Sequence, residues 1–131
     1  MAFNFESLEV WKKAQQLTKK IYCLTELHPE IGNDPVFTDL RQCAIKIPVS
    51  LVGDNSNPSI KDKVRTAEDA NKALMHTMGL VLVAYELGYI DPDALASLRI
   101  DIEEISRMLN GYRRSLLNKI GIVEPKSDDR E

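Results

Sequence analysis

Hydrophobic residues recur along this chain at steps of three and four, in four stretches separated by proline and glycine. In the first, from about Glu6 to Leu27, Val10, Trp11, Ala14, Leu17, Ile21 and Leu24 fall on one arc of a helix. Lys12, Lys13, Gln16, Lys19 and Lys20 fall on the opposite arc. His28-Pro29 ends this helix, because the residue before a proline is pushed out of the α region. The second stretch opens at Asp34-Pro35. The carboxylate can cap free amides, and a proline in the first turn needs no partner for an amide it lacks. Phe37, Leu40, Ala44, Ile47 and Leu51 then repeat at helical spacing until the turn-rich run Gly53 to Pro58. Pro48 interrupts this pattern. It cannot donate to the carbonyl of Ala44 and its ring crowds that turn, so a kink is predicted there.

Ser59, with Asp62 three residues on, resembles a capping box and opens the third stretch. Two seven-residue series follow, Ile60, Ala67, Leu74, Val81 and Val64, Asn71, Met78, Tyr85, predicting a helix of ~28 residues that stops at Gly88. Asp91-Pro92 repeats the cap-then-proline grammar. In the fourth stretch Leu95, Ile102, Leu109 and Leu116 lie seven apart, with Leu98, Ile105 and Tyr112 beside them. Its acidic residues come early and Arg113, Arg114 and Lys119 come late, which suits the helix dipole. Gly121 ends it.

No segment alternates with a period of two, so no sheet is predicted. The fold class is all-α, an antiparallel up-down-up-down four-helix bundle over residues 1–121, followed by a disordered polar tail at 122–131. The third helix carries Leu80, Val81, Leu82 and Val83 in succession, more than one core stripe can hide. The remainder should meet another subunit or a partner. Leu80, Leu82 and Val83 are therefore candidate interface residues. His76, off the main stripe, and Trp11, at the edge of the first helix's apolar arc, join them.

Composition narrows the function classes. Hydrophobic residues make up 44% and charged residues 28% of 131 residues, ordinary globular values that exclude a wholly disordered or disulfide-built chain. Cys23 and Cys43 read as reduced thiols packed as small hydrophobes. The N-terminus shows no signal-peptide pattern, and the most apolar run, Met78 to Tyr85, is far short of the ~20 residues that cross a bilayer. A cytoplasmic protein is expected, with no membrane role. Neither His28 nor His76 follows a glutamate by three residues, so the di-iron pattern of helix bundles is missing. The glycines form no phosphate-binding motif, and no hydrolase elbow is present. The expectation is no metal, no cofactor and no enzyme.

The remaining electrostatic feature is the basic arc of the first helix. Lys12, Lys13, Lys19 and Lys20, extended by Arg113 and Arg114, are the candidate nucleic-acid-binding residues, because phosphate backbones are followed by such charges. The net charge of −3 and the absence of an aromatic among these lysines favour weak RNA or DNA binding at most.

Several segments resemble one family. These are Phe5-Glu6-Ser7-Leu8-Glu9-Val10-Trp11-Lys12-Lys13-Ala14, Leu40 to Pro48, Ala84-Tyr85-Glu86-Leu87-Gly88-Tyr89-Ile90 and Met108-Leu109-Asn110-Gly111-Tyr112. In that order they are similar to the family encoded within intervening sequences of bacterial 23S ribosomal RNA. Arg41 and Pro48 carry over from its central motif, whereas Gln42, the Val49 to Asp54 run and His76-Thr77-Met78 depart from its pattern. The resemblance implies a non-enzymatic, cytosolic bacterial bundle that assembles into a closed ring, a homo-oligomer described as a pentamer. It also implies kinship with retroelement accessory proteins that bind a reverse transcriptase and nucleic acid. An assembly or adaptor module with a protein partner is the first expectation, and a nucleic-acid-binding accessory the second.

Overall fold

The structure, a computed structural model, describes residues 3–121; the tail expected at 122–131 lies outside the described residues. Among the described residues there are four α-helices and no strand: α1 (Glu9–Glu26), α2 (Pro35–Val52), α3 (Ile60–Glu86) and α4 (Pro92–Lys119). A short 3-10 turn, Asn4–Ser7, precedes α1, and another, Pro29–Ile31, links α1 to α2. The all-α four-helix bundle follows from the apolar stripes. Val10, Ala14, Leu17 and Ile21 of α1 meet Phe37, Leu40, Ala44 and Ile47 of α2 and Leu98, Ile102, Ile105 and Leu109 of α4 in one buried core.

The caps form as their residues dictate. Asp34 Oδ1 accepts from the Val36 amide at 2.9 Å, and Asp91 Oδ1 from the Ala94 amide at 2.8 Å. Ser59 and Asp62 close a reciprocal box, Asp62 N–H to Ser59 Oγ at 3.1 Å and Ser59 N–H to Asp62 Oδ2 at 3.0 Å. At the other end of α3, Gly88 turns left-handed (φ 78°). The Tyr89 amide then reaches back to the Ala84 carbonyl at 2.9 Å and the Gly88 amide to Tyr85 at 3.0 Å. Six-to-one and five-to-two bonds of this kind close a helix whose last carbonyls would otherwise go unpaired.

The Ser59 hydrogen bonds hold the Asp62 carboxyl below its ordinary value of 3.8. A carboxyl lowered in the folded state adds stability above its unfolded value, and that stability is lost as pH falls through the lowered one. The stability gap between the native chain and Asp62→Ala is therefore expected to stay constant above about pH 5 and to narrow below pH 4. Thermal unfolding across that range checks it.

Two sequence expectations change in the structure. The inner stripe of α3 is Ala67, Ala70, Ala73, Leu74, Thr77, Val81 and Ala84, so the second series is Ala70, Thr77 and Ala84, not Val64, Asn71, Met78 and Tyr85. Small residues there let α3 lie close against α2, and Thr77 is accommodated because its hydroxyl donates to the Ala73 carbonyl at 2.8 Å. In α1, Thr25 is buried where Leu24 was expected, while Leu24 packs on the core edge.

Pro48 lies inside a helix that continues to Val52, and it is buried. Its missing amide leaves the Ala44 carbonyl without its helical donor. Thr18 of α1 supplies one: its Oγ1 lies 3.0 Å from the Ala44 oxygen and 3.0 Å from the Ala14 oxygen. The hydroxyl, with one proton shared between the two oxygens, is within reach of the carbonyl that the proline orphans and ties α1 to α2 at that level.

Candidate assembly face

The α2–α3 pair is the part of the bundle whose outside is least polar. On α2, Ile45 and Val49 lie one turn apart and face away from the core, Val49 at 60% exposure. On α3, Met75, Leu82 and Val83 are exposed, Val83 at 46%. Periodicity explains both sets. The buried stripe of α2 takes Ala44, Ile47, Pro48 and Leu51, so residues 45 and 49 point outward. That of α3 takes Leu74, Thr77 and Val81, so residues 75, 82 and 83 do. Between the helices runs a groove lined by Gln42, Cys43 and Lys46 of α2 and His76, Gly79 and Leu80 of α3. Gly79 deepens it, since nothing lies within 4 Å of the place its Cβ would take. The charged residues that line it, Asp39 and Lys46, carry both signs.

Of the interface residues expected from sequence, His76, Leu80 and Val83 line this groove, and Leu82 is exposed on α3 outside its lining. Val81 belongs to the core. Trp11 lies elsewhere: half-buried on α1, it meets the Phe5 ring edge-on at 5.1 Å. Ile45, Val49 and Met75 escaped the sequence reading. A pair of apolar residues one turn apart on the polar arc of α2 was the available signal.

The basic residues are not gathered into one uncommitted surface. Lys13 pairs with Glu104 at 3.3 Å and Lys20 with Asp101 at 2.6 Å, both bridging α1 to an antiparallel α4, and Lys20 also contacts the Ser97 hydroxyl. Lys12 meets Glu9 on its own helix at 3.4 Å. Arg113 pairs with Glu68 of α3 at 2.9 Å, and Arg114 is half-buried near Ser115 and Asn118. Lys19 has no ion-pair partner among the described residues.

The two central-motif residues act inside the fold. Arg41 donates to the Gly32 carbonyl at 2.7 Å, fastening α2 to the link before it, and Pro48 is the buried residue served by Thr18. At the same end of the bundle as Arg41, Asp34 accepts a second bond through Oδ2, from the Tyr89 hydroxyl at 2.8 Å. That bond pushes the phenol above its ordinary value. Cys23 is exposed and Cys43 half-buried, both as free thiols, so Cys23 is not the packed residue expected. Among the described residues no three His, Cys, Asp or Glu side chains group to hold a metal, and no helix is long and apolar enough to cross a membrane.

These features can be set beside known proteins. The family model described as 23S rRNA-intervening sequence protein matches residues 6–111. The chain belongs to that family. No curated protein matches it. The family match ends within α4, at Gly111, so it takes in all of α1, α2 and α3 and with them the whole apolar exterior just described.

Proposed function

We propose that this member of the intervening-sequence family is a non-enzymatic assembly module, whose copies associate through the outer face of α2 and α3. The observation that carries the reading is the set Ile45, Val49, Met75, Leu82 and Val83, exposed together on one helix pair. Exposed apolar side chains concentrated on two neighbouring helices of a small bundle favour a covered state, because removing them from water is worth ~25 cal/mol per Å². The occupant is a second copy of the chain. The charges flanking the groove are of mixed sign, so one copy can meet another without leaving an excess of either. A closed ring of bundles, five by the family resemblance, satisfies a head-to-tail contact of this kind. The bacterial cytoplasm is its proposed setting, and an adaptor role toward a further protein rests on the ring's outer surface.

The alternative, a nucleic-acid accessory working through α1, is less well supported. Lys13, Lys20 and Arg113 are held by Glu104, Asp101 and Glu68, which lowers the charge they present to phosphates. Sedimentation velocity of the intact chain tests the proposal. The expected mass is a multiple of 14.8 kDa at micromolar concentration. A chain that stays monomeric overturns it.

A further inference from the structure

At the end of the bundle opposite the Asp34–Tyr89 contact, the turn before α1, the end of α2, the α2–α3 connection and the last turns of α4 enclose a cavity of about 680 Å³. Pockets that hold small molecules measure about 300–1,000 Å³. The wall is apolar, built from Phe3, Phe5, Leu8, Leu51 and Leu116. Phe3 is 59% exposed and lies parallel to Phe5, ring centroids 5.6 Å apart, so an aromatic pair stands at the cavity without a full apolar cover.

The polar side of the lining adds Asn4, Ser7, Asn55 and Ser56 to two lysines, one tyrosine and one acid. Lys63 and Lys119 line the cavity, and neither has an ion-pair partner among the described residues, in contrast to Lys13 and Lys20. Tyr112 also lines it, and its hydroxyl makes no hydrogen bond to a described residue. Burial holds that phenol above its ordinary range, so it is a donor at neutral pH. Asp54 is the one carboxylate in the lining, leaving an excess of one positive charge.

We propose that this cavity binds a small amphipathic monocarboxylate, its hydrocarbon body against Phe5 and Leu116 and its carboxylate met by Lys63, Lys119 and the Tyr112 hydroxyl. Uncommitted donors over an apolar floor match an acid with a single charge and a greasy body. A free phosphate would leave the wall unused, and a neutral alcohol would leave the lysines unpaired. The site lies away from the α2–α3 exterior, and the inference does not depend on the assembly reading.

Trp11, edge-on to Phe5 at 5.1 Å, is a built-in reporter. The intact chain is titrated with decanoate, decanol and inorganic phosphate, read by Trp11 emission and by calorimetry. Decanoate is expected to bind saturably, one per chain, at least about tenfold more tightly than decanol, because charge-assisted bonds are worth more than neutral contacts. Lys63→Gln together with Lys119→Gln is expected to weaken decanoate by about tenfold or more and to leave decanol unchanged. Absence of saturable binding overturns the proposal. So does equal affinity for decanoate and decanol, or a double variant that binds decanoate as the native chain does.

Discussion

Replacing Thr18 with valine is expected to destabilise the bundle by about 1–3 kcal/mol, although the two side chains have nearly the same shape. The cost comes from the Ala44 carbonyl. Pro48 deprives it of an amide, and the Thr18 hydroxyl at 3.0 Å is the donor it uses instead. With valine at position 18 that oxygen loses the Thr18 donor inside the α1–α2 seam. The same substitution in a Pro48→Ala background should cost much less, because an alanine amide restores the ordinary helical bond to Ala44. The coupling between the two positions, read from denaturant unfolding of the four proteins of the cycle, is the measurement. Equal costs in both backgrounds would show that the proline and the threonine are independent.

Val49→Glu combined with Val83→Glu is expected to reduce the assembly to monomers while leaving the helices intact. Both positions are well exposed in the single chain, so the protomer buries no new charge. Glutamate also has a better helix propensity than valine. In the assembled state each carboxylate would have to give up water without a partner, a cost of several kcal/mol per buried ion. Light scattering gives the mass and circular dichroism the helix content. Ile100→Glu, a still more exposed apolar position on α4, is the control and should leave the mass unchanged.

The bundle was legible because its punctuation is explicit. Asp34-Pro35, Ser59 with Asp62, Asp91-Pro92, Gly88 and Gly121 each do locally what their chemistry allows, and the helices begin and end at them. The interior of α3 was less legible. Its second stripe is Ala70, Thr77 and Ala84, and a reading that weights large apolar residues passes over small ones whose value is to let two helices approach. At Pro48 the helix runs on to Val52. The answer to the proline lies 30 residues earlier, on Thr18, and no local pattern announces it.

The candidate face was half legible for a related reason. Leu82 and Val83 stood out because they extend an apolar run, whereas Val49 and Ile45 fall between core positions in a mixed stretch of α2. Their exposure shows only once the core stripe of α2 is packed in the bundle. The reverse holds for the lysines. In sequence they form a cationic arc; in the fold Lys13 and Lys20 are drawn across to the acids of α4.

Whether the outer face of α2 and α3 is covered in solution is most directly read by hydroxyl-radical footprinting of the intact chain. In the isolated protomer Met75, Val49 and Val83 are exposed, as are Leu27 and Ile100 away from that face. If copies meet there, Met75, Val49 and Val83 are modified more slowly than their intrinsic reactivity allows, and dilution into the monomer range restores the rate. Leu27 and Ile100 keep the same rate throughout. Modification of Met75, Val49 and Val83 at the unprotected rate under assembling concentrations contradicts the account.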